Sequence, residues 1–223
     1  MTVIVTGASG VLGRQACHSL KNAGYDVIGV DLSKERPIEL DARVHFIGGY
    51  DLSLESDAAS CVKEIRSIVS NVKALINIAG GFVWETSLAS TNETWERMLR
   101  INLFTNLNIT RGIVPLLSEG SSIVNIGAAA AAKSDLGMGP YTAAKSAVLR
   151  LSEALKEDLK PHGVRVNAIS PTIIDTEKNR ADMPDANFDE WVQPGEIADL
   201  ICFLISERSS GINGENIRIS GRQ

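Results

Sequence analysis

The first thirteen residues constrain this chain more than any other stretch. Residues 2–6 (TVIVT) are a short, nearly unbroken apolar run that opens at once into glycines at positions 7, 10 and 13. A run of this kind without polar alternation predicts a strand covered on both faces. Residues 11–23 then carry Leu12, Ala16 and Leu20 at helical spacing, with Gly24 placed to end the helix. The pattern repeats along the chain. Further strands are expected at 25–30, 43–47, 74–78, 121–126, 164–169 and 216–219. Helices are expected over 56–70, 93–117, 140–160 and 194–206, with Pro115 bending or ending the second of these and Pro161-His162-Gly163 stopping the third. Strands and helices in alternation, joined by right-handed crossovers, predict an α/β fold with a doubly wound parallel sheet of about seven strands and helices on both faces.

The 223 residues suit one domain over 1–223 with no room for a separate substrate domain, and only 175–193 is irregular enough to suggest a lid. The net charge is −5, which leaves no basic surplus for nucleic acid. No stretch reaches the ~18 apolar residues of a membrane span, and the N-terminus lacks the basic start of a signal peptide. A cytoplasmic protein is expected, without nucleic-acid or membrane partners. Cys17, Cys61 and Cys202 are odd in number and far apart, as are His18, His45 and His162, so buried thiols are expected and a metal site is not.

In a doubly wound sheet the first strand-to-helix turn lies at the carboxyl edge, where ligands bind. Gly7-Ala8-Ser9-Gly10-Val11-Leu12-Gly13 would let the backbone approach a pyrophosphate, with the helix N-terminus supplying N–H donors and partial positive charge. The spacing departs from G-x-G-x-x-G, and alone it also fits an ordinary turn. Asp31, which follows the second strand 18 residues past Gly13, strengthens the reading as a Rossmann-type dinucleotide site. A carboxylate there bonds a ribose 2′-hydroxyl and repels a 2′-phosphate, favouring NAD(H). Lys34 and Arg36 lie close enough in sequence to accept that phosphate, so NADP(H) is not excluded.

Tyr141 and Lys145 stand four apart on one helix face. A neighbouring ammonium favours the phenolate, lowers the phenol's pKa and makes it a usable general acid or base. An isolated Y-x-x-x-K is also a common surface pair.

Taken with the glycine turn, this pair resembles the short-chain dehydrogenase/reductase family, and the resemblance spans essentially the whole chain. Asn77-Ile78-Ala79-Gly80 is similar to that family's N-N-A-G turn, Asn102 to its helix asparagine, Asn167-Ala-Ile-Ser-Pro171 and Thr176 to the segment that closes on the nicotinamide, and Ile212-Asn-Gly214 to its last turn. The resemblance implies that Tyr141 is the acid/base, that Lys145 binds the nicotinamide ribose and tunes Tyr141, and that Asn102 holds a proton-relay water. It places the cofactor against Gly7, Ser9, Gly10, Val11, Leu12, Gly13, Asp31, Asp51, Leu52, Asn77, Ala79, Gly80, Tyr141, Lys145, Pro171, Ile174 and Thr176, with Asp51-Leu52 lying against adenine. It also implies a homodimer or homotetramer paired through the helices over 93–117 and 140–160.

One departure matters. The family's substrate-bonding serine, 13 residues before the tyrosine, is Ala128 here, and Ser134 could replace it only if its loop folds back. The loss of such a donor costs roughly 10²–10³ in rate where the reaction depends on it. A dihydropteridine reductase-like subgroup also lacks this serine. It is echoed in Ala79-Gly-Gly-Phe82, Gly137-Met-Gly-Pro-Tyr141 and the stretch from Asp175 through Met183 to Trp191. In reduction of a quinonoid pterin or another conjugated C=N system no alkoxide forms at the attacked carbon, so that donor matters less. The alternatives are a short-chain secondary alcohol dehydrogenase or ketone reductase and a non-catalytic NAD-binding sensor. Phe82, Trp84, Met138, Met183 and Trp191, together with Ala128, are the candidates for a flat, apolar small-molecule pocket. Phe188 and Trp191 would serve equally as anchors of the 175–193 segment.

Overall fold

The computed structural model describes residues 1–222. Seven strands form one parallel sheet: β1 (Thr2–Thr6), β2 (Asp26–Asp31), β3 (His45–Gly48), β4 (Val72–Asn77), β5 (Leu117–Ile126), β6 (Arg165–Pro171) and β7 (Asn216–Ile219). Their order across the sheet is β3-β2-β1-β4-β5-β6-β7. The order reverses direction between β1 and β4, whose register pairs Val3 with Ala74 and Thr6 with Asn77. The carboxyl ends of these two strands therefore flank the crevice where a ligand enters such a sheet.

The lack of alternation within the strands is explained by two cores, one on each face. Val3, Val5, Ala74 and Ile76 face Leu12, Ala16 and Leu20 of α1 (Val11–Asn22) and Ile197, Ile201 and Leu204 of α7 (Pro194–Leu204). Ile4, Leu75 and Ile123 face the other way, onto Cys61, Val62 and Ile65 of α2 (Glu55–Ile68), Ile109 and Ile113 of α4 (Thr105–Ile113), and Leu155 and Leu159 of α5 (Gly139–Leu159). Cys17 and Cys61 are buried in these cores and Cys202 is half-buried; burial pushes the first two thiols up to about 12.

The structure corrects the helix expected over 93–117. It begins as α3 (Asn92–Leu99), widens into a π-helical turn over Arg100–Phe104, resumes as α4, and ends in a 3₁₀ turn over Val114–Leu116 that contains Pro115. The fifth strand consequently starts at Leu117, four residues early. The third strand is shorter than expected, because Arg43 is drawn into a turn by Asp41, to which both its backbone and its guanidinium donate. The irregular segment 175–193 contains a short helix, α6 (Glu177–Asp182), N-capped by the Thr176 hydroxyl, and a 3₁₀ turn at Phe188–Glu190. No helix among the described residues is long and apolar enough to cross a membrane.

Candidate active site

The glycine turn leaves β1 with Gly7 at φ +69°, where a Cβ would come within 2.9 Å of the Ala79 backbone. A Cβ on Gly13 would lie 2.0 Å from Gly7 O, so packing within the protein already demands both glycines. Gly10 differs: its Cβ would meet only Gly7 O, at an ordinary 3.4 Å. Room at Gly10 is thus kept on the solvent side. Gly10 is the N-cap of α1 and no side chain caps that helix, leaving the N–H groups of its first turn, Val11 to Gly13, free to face a ligand. Ser9 Oγ is buried and has no hydrogen-bond partner among the described residues. These features fit a pyrophosphate.

Asp31, at the end of β2, reaches this turn. Its Oδ2 accepts from Ser9 N at 2.8 Å and its Oδ1 from Ser33 N at 3.0 Å. Arg36 does not approach it, since that guanidinium donates to the carbonyls of Leu40, Asp41 and Val44. The Lys34 side chain lies against Gly49.

The turn after β4 is pinned by Thr6, whose hydroxyl oxygen accepts from Ile78 N and Ala79 N at 3.1 and 3.2 Å. Asn77, expected against the cofactor, has its side chain engaged within the protein. Its side chain is buried, and its Nδ2 points toward Asn106 Oδ1, Thr110 Oγ1 and Asn125 Oδ1 at 3.2, 3.1 and 2.9 Å. Asn77 ties β4 to α4 and β5. Leu52 is likewise a core residue, 5% exposed and packed in the second core, and Asp51 Oδ1 accepts from Ser53 N in the approach to α2.

Asn102 sits within the π turn. Its Nδ2 donates to Met98 O and Gly81 O, and its Oδ1 accepts from Gly81 N. A Cβ on Gly80 would fall 2.5 Å from Asn102 Oδ1 and 3.6 Å from Lys145 Nζ, so Gly80, Asn102 and Lys145 converge at one point. Lys145 is buried, and its ammonium donates to Ile126 O at 2.8 Å. One turn earlier on α5, the Tyr141 ring meets Phe82 edge-on. Burial pushes Tyr141 up to about 12 and Lys145 down to about 8. In this structure burial is the cause that raises Tyr141.

Ala128 is 6% exposed and opens a 3₁₀ turn at the end of β5. Ser134 does not stand in for the missing serine: it is exposed, its hydroxyl accepting from Thr142 Oγ1 at 2.9 Å and donating to Asp135 O at 3.5 Å. Pro171 ends β6, buried. Ile174 O accepts from Asn179 Nδ2, and Thr176 Oγ1 from Asn179 N. Trp191 is 2% exposed, its ring 4.8 Å from Phe188, so it is an anchor in the interior and not a pocket wall. Met183 ends α6, half-buried, and Met138 is the N-cap of α5. Pattern reading missed Thr6, whose visible signal was a hydroxyl ending a buried strand. It also missed Thr172, whose Oγ1 is buried without a partner among the described residues beside Pro171.

Comparison with known proteins agrees with this fold. A Brucella melitensis structure described as a short-chain dehydrogenase/reductase, glucose/ribitol dehydrogenase, superposes with a TM-score of 0.88 at 30% identity, covering 99% of this chain and 95% of that one. A 3-ketoacyl-(acyl-carrier-protein) reductase from the same organism, complexed with NADH, shares the fold (TM-score 0.85, 22% identity, 99% and 97% covered). An asnovolin H dehydrogenase of Aspergillus novofumigatus is 27% identical, covering 97% of this chain and 94% of that protein. The family model described as short chain dehydrogenase matches residues 1–187, and the chain belongs to that family of nicotinamide-dependent oxidoreductases.

Proposed function

We propose that this protein is an NAD(H)-dependent reductase that acts on a conjugated C=N or comparable electrophile, with quinonoid dihydropterin as the leading candidate. The observation that carries this reading is the methyl of Ala128 where a carbonyl-polarising hydroxyl would stand, with Ser134 engaged elsewhere. A conjugated acceptor spreads the incoming charge away from the attacked carbon, so one proton donor suffices. Tyr141 is that donor. Burial holds its proton on at neutral pH, which suits an acid in the reductive direction and works against the phenolate that alcohol oxidation needs.

When bound, the dinucleotide supplies or accepts the hydride. The residues that would hold it are the Gly7–Gly13 turn at the pyrophosphate, Asp31 at the adenosine ribose, and Lys145 with the 78–80 turn at the nicotinamide ribose. Asp31 next to Ser9, with Arg36 occupied by three carbonyls, supports NAD(H) over NADP(H). Residues 175–193 act as the lid of the single domain over 1–223. The helices α3, α4 and α5 pair subunits into a homodimer or homotetramer, and the protein works in the cytoplasm on a small molecule. The second reading, a secondary alcohol dehydrogenase or ketone reductase, is supported by the convergence of Asn102 and Lys145 at Gly80, with Tyr141 one turn before Lys145 on α5.

An NADH-oxidation screen of quinonoid dihydropterin, quinones, ketones and aldehydes tests the proposal, with Ala128→Ser run alongside. We expect turnover of the conjugated substrates that is unimproved in Ala128→Ser and lost, or nearly so, in Tyr141→Phe. A gain of 10²-fold or more on simple ketones in Ala128→Ser would install the second reading instead.

A further inference from the structure

The loop after β4 meets the start of α5 through contacts that proton transfer does not use. The ring of Phe82 stands at 87° to that of Tyr141 with centroids 4.9 Å apart, yet Phe82 is 47% exposed. Two residues on, Trp84 lies over Gly137, where a Cβ would come within 2.2 Å of the indole. Gly137 is held at φ +75°, and its carbonyl accepts from Glu85 N at 2.8 Å. Ser87 closes over Gly139 in the same way. The two loops are therefore built as one unit, and its outer face shows a 60% exposed indole and a half-exposed phenyl ring beside the candidate acid. Large aromatic surface fixed in this way and left open to solvent is characteristic of a binding face.

Several of the hydroxyls nearby are already committed within the protein. Thr94 Oγ1 donates to Glu85, Ser90 Oγ donates to Ser87 O and accepts from Trp95 Nε1, and Ser146 Oγ donates to Ala131 O. Ser134 is bonded to Thr142. A polyol seated here would have to give up water without finding replacement partners, a cost of roughly 1–3 kcal/mol per unmade hydrogen bond. A flat conjugated ring carries its polar atoms at the edge, where they can stay solvated, and gains stacking through its faces.

We propose that Phe82 and Trp84 determine specificity: they form an aromatic wall, propped on Tyr141 and Gly137, that admits a planar conjugated ring and rejects sugars and other polyols. The placement of the wall at the substrate rests on the reading of Tyr141 as proton donor. The wall itself is read out by binding, which needs no turnover.

The test uses protein loaded with NAD⁺, to prevent reaction, and titrates a bicyclic naphthoquinone, cyclohexanone and D-glucose by calorimetry. The quinone should bind at least about tenfold more tightly than cyclohexanone, with no heat from glucose. Phe82→Ala and Trp84→Leu should each weaken the quinone by roughly five- to tenfold. Gly137→Ala, which keeps the indole but displaces it, should do the same, and NAD⁺ affinity serves as the control for folding. Glucose binding as tight as the quinone, or quinone binding unmoved in all three variants, would overturn the proposal. If the quinone binds as expected but wild-type protein with NADH turns over no conjugated substrate, the reading of the reaction fails and the wall stands. If turnover proceeds through Tyr141 while the variants leave binding intact, the wall fails alone.

Discussion

Lys145 brings an ammonium into the interior, where Ile126 O is the one acceptor it meets among the described residues. Burial lowers it from 10.5 to about 8. Between those values the unfolded chain holds the proton that the folded chain has released, so this residue makes stability rise with pH across that window. Below pH 8 the folded protein carries the full burden, about 3 kcal/mol at 1.36 kcal/mol per pKa unit. Lys145→Met should therefore abolish activity and yet unfold at higher urea near pH 7. Allowing for the lost bond to Ile126 O, the net gain should be about 1–2 kcal/mol and should shrink toward zero by pH 10. Urea titrations of both proteins at pH 7 and 10 measure this. A variant less stable at pH 7, or a gap that widens with pH, would show that the buried charge is not a cost. A stabilising loss of function of this kind is the signature of a group kept for chemistry.

At the scale of elements, the 175–193 segment is tied at its base and looser beyond. Ile174 bridges Val192, Val192 N donates to Ile173 O, and Asp175 N donates to Val192 O. Asp175 also accepts two bonds from Arg180, at 2.6 and 2.7 Å, which holds α6 to the base. The chain's last turn completes the tie. Gly221, at φ +64°, approaches so closely that a Cβ would be 2.4 Å from Glu190 O, and the next residue, Arg222, donates its N–H to that oxygen and its guanidinium to Glu196. Gly221→Val should break this tie through both backbone strain and the clash. Limited proteolysis should then cut within 176–189 several times faster. KM for the reduced substrate should rise several-fold while kcat changes less. Unchanged proteolysis and KM would make the tail a bystander. None of this coupling was legible in the sequence, because Gly221 lies outside any periodic element and its partner is 31 positions upstream. The π turn was invisible for another reason: its apolar spacing continues the helical period on either side, and the bonds of Asn102 to Gly81 and Met98 that accompany it depend on the fold.

Over the whole molecule, what could be read was whatever depends on local pattern. β7 lies where its apolar run put it, the continuous apolar strands gave the two-faced sheet, and the glycines of the first turn lie where their spacing implied. What escaped was the polar seam that joins the layers. Asn77 and Asn125 interrupt apolar strands, and a pattern reading takes them for exceptions or ligand contacts. In the fold, Asn77 Nδ2 meets Asn125 Oδ1 at 2.9 Å, Asn125 Nδ2 donates to Ser152 Oγ at 2.8 Å, and Ser152 Oγ donates to Val148 O. Ser152 stands two turns beyond Lys145 on α5, so the seam fixes the helix that carries Tyr141 and Lys145 against β4 and β5. Asn125→Ala would remove the bonds to Asn77 and Ser152, each worth about 0.5–1.5 kcal/mol, and would add a cavity, while Asn77 Nδ2 keeps Asn106 Oδ1 and Thr110 Oγ1 as acceptors. A loss of roughly 2–4 kcal/mol in urea unfolding is expected, with about 1 kcal/mol for Ser152→Ala. Because the two share one bond, the double variant should lose less than the sum by at least about 0.5 kcal/mol. If the seam positions α5, kcat should fall in Asn125→Ala with NADH affinity largely kept, since among the described residues the seam's side chains make no hydrogen bond to the glycine turn. Additive losses in the cycle, or full kcat in a destabilised Asn125→Ala, would reduce the seam to packing that happens to be polar.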